Sequence, residues 1–197
     1  MTNRPPPRYY GIKLYRDPHG RFSFQYPSDW HTFELEDQRD GVMVSPEAEN
    51  PQTWFSVWIN RLDLNVVAED LEDLKDGVDE GLSQLTDMKV ESASEEALGN
   101  LIKFERIYTF RDGDAIRKRR SWLLYVDTWL MVVTYQGATE EEYAYWRPMG
   151  NYSFLRFELP EALWFATDRD LSGLRGSDSV QQPDQAQHPT ATEGSPE

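Results

Sequence analysis

Apolar and polar residues alternate in several short segments of the chain, and this period of two predicts β-strands. The first predicted strand ends at Pro27, which cannot donate a hydrogen bond to a sheet ladder. In the strongest segment, Phe55, Val57 and Ile59 share one face. The predicted strands of the first half of the chain are 22–26, 31–35, 41–45 and 53–62.

A helical period follows these strands. Five apolar residues recur at steps of three and four, with acidic residues on the opposite side, which indicates an amphipathic helix. They are Leu71, Leu74, Val78, Leu82 and Leu85. Gly77 and Gly81 each lower helix propensity by about 1 kcal/mol relative to alanine. Tertiary packing must therefore supply most of the stability of this helix.

Three longer strands come next and form a predicted meander at 101–110, 116–126 and 129–136. Turns at Asp112-Gly113 and Asp127-Thr128 separate them. All three strands carry apolar residues on both faces, so we expect the sheet to be covered on both sides. The predicted fold class is α+β, a three-layer α/β/α sandwich in which helices flank an antiparallel sheet.

A second helix is predicted after the meander. Thr139 and Glu142 have the spacing of a capping box at its start. Tyr143 and Trp146 are expected to face the sheet. Pro148 and Gly150 are expected to kink or end the helix, because proline removes a helical hydrogen bond.

Composition divides the chain into four parts. Residues 1–10 are a Pro-rich arm, and residues 11–165 are predicted to form a single domain. Residues 166–175 are an extension of that domain. Residues 176–197 lack aromatic residues and are predicted to be a disordered acidic tail, because such a segment cannot offset its ordering entropy by burial.

The net charge of −15 is unevenly distributed. Residues 46–99 carry 14 acidic and 3 basic groups, whereas residues 100–136 carry 4 acidic and 7 basic groups. Overall acidity disfavours nucleic-acid binding, which requires a cationic face. No apolar run approaches the ~18 residues of a membrane span, and no secretory signal is present, so we expect a cytoplasmic protein without membrane insertion.

The chain offers little catalytic chemistry. It has no cysteine and only three scattered histidines, His19, His31 and His188, so no metal site is expected. It also lacks a nucleophile elbow, a P-loop and a dinucleotide-binding glycine motif. We therefore expect no cofactor, no catalytic residue and no enzyme activity.

The basic run Arg117-Lys118-Arg119-Arg120 stands out in this acidic chain. One interpretation is a solvated strand end paired with acidic residues of the first helix, or with Asp112 and Asp114. The other is a binding site for an anion or a protein partner, formed by Arg117 and Arg119 together with Arg106. Arginine suits this role because its planar guanidinium matches carboxylate and phosphate groups.

Trp54 and Trp58 lie on one face of one predicted strand. Either the helices cover them, or they form an apolar anchor patch for a partner. Tryptophan is enriched at the energetic centres of protein interfaces. Together with Arg106, Arg117 and Arg119, these two residues are the candidate binding residues.

Residues 17–30 read Asp-Pro-His-Gly-Arg-Phe-Ser-Phe-Gln-Tyr-Pro-Ser-Asp-Trp, and this segment resembles the opening of the PsbP-like family. The order of strands, acidic helix, meander and helix is similar as well, as is the Trp146…Ser153-Phe154 ending. This fold is shared by PsbP subunits, a Ran-binding import factor and DcrB-like proteins. The resemblance implies an adaptor, chaperone or binding module.

The leading hypothesis is thus a non-enzymatic adaptor or chaperone-like protein that recognises a protein segment or peptide. A small-molecule or lipid carrier is the first alternative and requires an apolar cavity of ~300 Å³ or more between sheet and helix. A weak hydrolase with two carboxylates about 5–9.5 Å apart is the second alternative.

Overall fold

The computed structural model describes residues 4–164. The predicted extension and acidic tail at 166–197 lie outside this range. The strands are β1 (Ile12–Arg16), β2 (Ser23–Pro27), β3 (His31–Phe33), β4 (Asp40–Ser45), β5 (Trp54–Arg61), β6 (Lys89–Leu98), β7 (Leu101–Asp112), β8 (Ala115–Val126) and β9 (Trp129–Gly137). The helices are α1 (Leu71–Ser83), α2 (Glu140–Leu155) and α3 (Glu161–Trp164).

Seven strands form one antiparallel sheet in the order β3-β4-β5-β9-β8-β7-β6, and β1 and β2 form a separate two-stranded sheet. The predicted meander is present as β7, β8 and β9. The α+β fold with helices on both sides of the antiparallel sheet is confirmed. No helix within residues 4–164 is both long and apolar enough to cross a membrane.

Helix α2 covers one face of the sheet and packs on the main core. Thr139 caps its first turn by accepting a hydrogen bond from the amide of Glu142 at 3.2 Å. Pro148 and Gly150 lie inside the helix, which continues to Leu155, so of the two predicted outcomes an end of the helix at these residues is wrong. A Cβ at Gly150 would lie 2.7 Å from the ring of Tyr135, so glycine allows close approach of helix and sheet here.

Helix α1 lies on the other face. Its apolar stripe packs with Ile102, Phe104 and Tyr125, and Val78 is buried between helix and sheet. This second cluster covers β7, β8 and the start of β9. The remaining strands of the same face, β4 and β5 with the rest of β9, have no helix over them. Coverage on both sides, as predicted from the apolar pattern, therefore holds for only half of this face.

The sequence analysis did not predict two of the strands, β6 and β1. The residues of β6 are exposed along almost the whole strand, so no buried face imposes an alternating pattern. Its register with β7 shifts between Val90 and Ser92, which marks a bulge. In β1, Ile12 and Leu14 do alternate with polar residues, but both side chains are exposed.

The opening turn is held by a cluster of charged groups. The buried carboxylate of Asp17 accepts hydrogen bonds from the amides of His19 and Arg21 and from the Arg21 guanidinium. Burial alone would raise the pKa of Asp17, but the hydrogen bonds and charge of Arg21 hold it below the usual value. The same guanidinium pairs with Asp40 at the start of β4. The conspicuous sequence motif therefore has a structural role.

The described part of the N-terminal arm lies against α2. The guanidinium of Arg4 pairs with Glu142 at 2.9 Å and stacks 3.7 Å from the ring centroid of Tyr145. The Tyr9 hydroxyl donates to the carbonyl of Pro148 at 3.1 Å. These contacts fasten the arm on the side of the molecule opposite the uncovered sheet face.

Candidate functional site

The uncovered half of the sheet forms the floor of a groove of about 570 Å³. Strands β4, β5, β8 and β9 supply this floor, and residues 35–39 and 50–52 supply rims. No residue of α1 or α2 lines the groove. It is therefore a different space from the sheet–helix cavity that the carrier hypothesis requires.

The strand register arranges the floor in transverse rows. Trp54 of β5 pairs with Gln136 of β9, which in turn pairs with Arg119 of β8. Four residues further along β5, Trp58 pairs with Val132. At about 3.3 Å per residue, the two rows lie roughly 13 Å apart. Register thus places the two predicted tryptophans and Arg119 around one groove.

The row between those of Trp54 and Trp58 contains hydroxyl side chains. Ser56 and Thr134 are opposite each other and buried, and the Thr134 hydroxyl lies 3.0 Å from that of Ser121. Met43 pairs with Ser56 from the neighbouring strand β4. The floor of the groove therefore has a polar and cationic end at Arg119, a middle lined by hydroxyls and Met43, and an apolar end at Trp58.

Arg119 differs from the rest of the basic run. Its Nε donates to Gln136 Oε1 at 2.7 Å, and its guanidinium lies 4.5 Å from the Phe110 ring centroid and 5.3 Å from that of Trp54. Among residues 4–164, no carboxylate pairs with it and its two terminal NH₂ groups donate no hydrogen bond. Cation–π contacts therefore orient a half-buried guanidinium whose charge has no counterion in the described structure.

The other three members of the run have acidic partners. Arg117 pairs with Asp112 at 3.3 Å, Lys118 pairs with Glu91, and Arg120 pairs with Glu105 at 2.7 Å. Lys118 and Arg120 point to the α2 face, where Arg120 stacks 4.5 Å from the Phe154 ring centroid. Of the partners that the paired interpretation named, only Asp112 is found, with Arg117. Lys118 and Arg120 pair with acids of β6 and β7 rather than of the first helix, and Arg119 has no acidic partner among residues 4–164.

Arg106 lies apart from the groove. Its side chain is 2% exposed beneath α1 and pairs with Asp79 at 3.1 Å and with Glu95 at 2.8 Å. It also donates to the carbonyl of Ser94 at 3.2 Å. A buried cation with two carboxylates fastens α1 and β6 to the sheet. The structure does not bring Arg106 together with Arg119.

Arg117 shapes the groove from its rim. Its guanidinium donates to Asp112, to the Gln52 side chain and to the carbonyl of Ala138 at 2.7 Å. Gln136 Nε2 donates to the carbonyl of Gln52 at 3.0 Å. These bonds join the loop before β5 to the β7–β8 turn. They build a wall just beyond Arg119.

The opposite rim comes from the loop between β3 and β4. Arg39 lies 5.6 Å from the ring centroid of Trp58. Gly41 is the second residue of β4 and follows this loop. Its φ of +147° favours glycine, and a Cβ added there would lie 2.1 Å from the carbonyl oxygen of Val57. Glycine here lets the rim approach β5 closely.

Sequence reasoning missed Gln136, Thr134 and Val132 as groove residues. Only the register that sets β9 between β5 and β8 reveals that they separate the tryptophans from Arg119. Of the histidines, His19 and His31 are exposed and His188 lies outside the described residues. Within residues 4–164, no three His, Asp or Glu residues form a group suited to a metal ion.

No family model matches this sequence, and no curated protein matches it. Solved structures do resemble it. The solution structure of cyanobacterial PsbP (CyanoP) from Synechocystis has a TM-score of 0.56 and 14% identity, covering 76% of this chain and 92% of that one. LpqN of Mycobacterium tuberculosis, described as involved in cell envelope biogenesis, has a TM-score of 0.53 and 10% identity, covering 76% and 91%.

A protein from Bacteroides thetaiotaomicron has a TM-score of 0.52 and 14% identity, covering 75% of this chain and 48% of that one. At such identities the likeness concerns the fold, and functions do not transfer with it. The resemblance read from residues 17–30 agrees with these structural matches. This chain has the PsbP-like fold.

Proposed function

We propose that this protein is a non-enzymatic binding module, an adaptor or chaperone-like protein that holds a protein segment in the groove. The observation that carries the proposal is the Arg119 guanidinium, held between aromatic rings and without a counterion among the described residues. A partially desolvated, oriented cation is suited to a charge-assisted hydrogen bond with an anionic group.

The tryptophans supply the apolar part of the contact. Trp54 and Trp58 are half-buried and line the groove, so each presents an accessible ring surface to a ligand. Tryptophan and arginine are the residues most enriched where binding energy is concentrated. A segment with an apolar side chain near Trp58 and an anionic group near Arg119 complements both ends.

Strand geometry favours a protein segment over a compact metabolite. The two ends of the groove are roughly 13 Å apart, a distance that about four extended residues span. Buried hydroxyls of Ser56 and Thr134 lie between, where the backbone of such a segment would pass.

The proposal is tested by capture with matched variants. The full-length chain is immobilised and exposed to native cytosol of the source organism, and bound proteins are quantified for wild type, Trp58→Ala, Arg119→Gln and Lys118→Gln. Lys118→Gln is the control, because it removes the same charge from the same run on the opposite face.

We expect a defined protein to be retained by wild type and Lys118→Gln, and to be lost with the two groove variants. Equal recovery by all four chains would overturn the assignment to the groove. Native mass spectrometry of the captured sample provides the second readout. A bound small molecule whose retention depends on Trp58 and Arg119, with no protein, would make the protein a carrier instead.

A further inference from the structure

We infer that the anionic group held at Arg119 is the C-terminal carboxylate of a protein chain whose last residues are apolar. This inference rests on the proposed function and specifies its ligand. Four features of the groove support it: the geometry of the cation, the wall behind it, the charge of that wall and the distance to the apolar end.

The cation is presented as a fixed two-pronged donor. Gln136 engages Nε of Arg119, and Trp54 and Phe110 hold the guanidinium plane. The two terminal NH₂ groups have no acceptor among residues 4–164. A carboxylate accepts two such hydrogen bonds side by side, and pre-organisation of the arginine lowers the entropy cost of forming them.

The wall behind Arg119 makes the groove end there. Arg117 bonds to Gln52, to Asp112 and to the carbonyl of Ala138, and the Ala138 amide donates to Thr53 Oγ1 at 3.1 Å. These contacts cross the groove from the loop before β5 to the β7–β8 turn. A ligand that enters beside Trp58 meets these side chains just beyond Arg119. Its anionic group is therefore best placed at a chain end rather than on a side chain in mid-segment.

The wall does not repel a carboxylate strongly. Of the acidic residues in this wall, Asp112 is paired with Arg117 at 3.3 Å, and the Glu47 carboxylate accepts hydrogen bonds from the amides of Gln52 and Thr53. A C-terminal carboxyl has an ordinary pKa of about 3.3–3.7 and is charged at neutral pH. Ligand charge and site charge are therefore opposite where they meet.

The apolar end limits how much of the ligand is recognised. The row of Trp58 and Val132, with Leu35 beside it, lies about four extended residues along the strands from the row of Arg119. The last four or so residues of the ligand then contact the floor, and an apolar side chain belongs near Trp58.

The test compares free acids with amides. The full-length protein is incubated with pooled octapeptides whose last four positions are varied among apolar residues, prepared once with a free C-terminus and once as C-terminal amides. Retained peptides are identified by mass spectrometry. The best sequence is then labelled at its N-terminus and titrated as acid and as amide by fluorescence anisotropy.

We expect the acid to bind about tenfold or more tightly than the amide, because a hydrogen-bonded ion pair is lost. Arg119→Gln should abolish this difference and Lys118→Gln should preserve it. Arg119→Lys should restore only part of it, because lysine keeps the charge but not the planar fork. Circular dichroism of each variant establishes that the fold is retained.

Equal affinity of acid and amide overturns the inference. If that shared affinity is lost in Trp58→Ala, the proposed binding of a protein segment in the groove stands, but without recognition of a C-terminal carboxylate. Failure of both peptide pools to bind overturns the proposed function as well. Dodecanoate is the last probe. Arg119-dependent binding of dodecanoate without any peptide binding would assign the site to a free amphiphilic carboxylate.

Discussion

The two halves of one sheet face carry the same kind of residues and reach opposite outcomes. In the half under α1, Arg106 is 2% exposed and its charge is matched by Asp79 and Glu95. In the uncovered half, Arg119 has no carboxylate partner within the described part of the chain, and two tryptophan rings stay accessible beside it. The difference is the helix, which supplies both an apolar stripe and an acid. A partly built layer thus leaves a surface that a partner can complete.

The largest contrast is expected from truncating an aromatic residue in each half. Phe104→Ala should lower the free energy of unfolding by about 3–5 kcal/mol, because Phe104 is fully buried beneath α1. Trp58→Ala should cost less, about 1–2 kcal/mol, because its side chain is only partly buried. Urea denaturation monitored by circular dichroism measures both. Similar losses would show that the groove floor is part of the core.

The two arginines give the next contrast. Arg106→Met should destabilise the fold by about 1.5–3 kcal/mol, since it removes charged hydrogen bonds that fasten α1 and β6. Arg119→Met should change stability by less than about 0.5 kcal/mol. Thermal unfolding of both variants provides the measurement. A larger loss for Arg119→Met would mean that its cation–π contacts serve the fold rather than a ligand.

A variant of the opening turn tests how strongly the pairing of Asp17, Arg21 and Asp40 anchors β4 in the uncovered half. Asp17→Asn should cost about 1.5 kcal/mol at neutral pH, because Asp17 orients the Arg21 guanidinium that also pairs with Asp40. The folded-state pKa of Asp17 lies below the ordinary value of 3.8, so its stabilisation is complete above pH 3.8 and is lost as the pH falls further.

The difference in unfolding free energy between wild type and Asp17→Asn should therefore be constant from pH 5 to 7 and shrink below pH 3.8. Urea titrations at each pH measure it. A difference that widens toward acid would assign the stabilisation to another group.

The last contrast concerns the groove wall. Arg117→Gln removes an ion pair with the exposed Asp112 and hydrogen bonds to Gln52 and to the Ala138 carbonyl, so it should lower the free energy of unfolding by about 1 kcal/mol. It should also weaken the preference for a free C-terminus by opening the barrier behind Arg119. Parallel anisotropy titrations of acid and amide peptides test this. An unaltered preference would show that the wall plays no part in selecting the ligand.

Local sequence patterns predicted elements with one buried side and failed for elements without one. Strand β5 alternates clearly because Phe55, Val57 and Ile59 enter the core. Strand β6 has no buried face and gave no signal. The predicted end of α2 near Gly150 was wrong because the helix-breaking tendency of glycine is local, whereas its packing on Tyr135 depends on tertiary structure.

The candidate site shows the same limit. Trp54, Trp58 and Arg119 were chosen from sequence for their chemistry, and strand register brought them to one groove. Arg106 looked equivalent to Arg119, but its partner Asp79 lies 27 residues earlier, on α1. Which arginine is neutralised depends on where a helix lies over the sheet, and this could not be read from spacing along the chain.

The exposed edge strand β6 bears on how this protein behaves at high concentration. A regular ten-residue edge would offer its free backbone groups to other copies and could seed fibrils. The bulge between Val90 and Ser92 interrupts that edge. Deleting Glu91 would remove the extra residue of the bulge and give β6 a regular edge. The aggregation rate of this variant, compared with that of the wild type at the same concentration, would show how far one residue protects the protein.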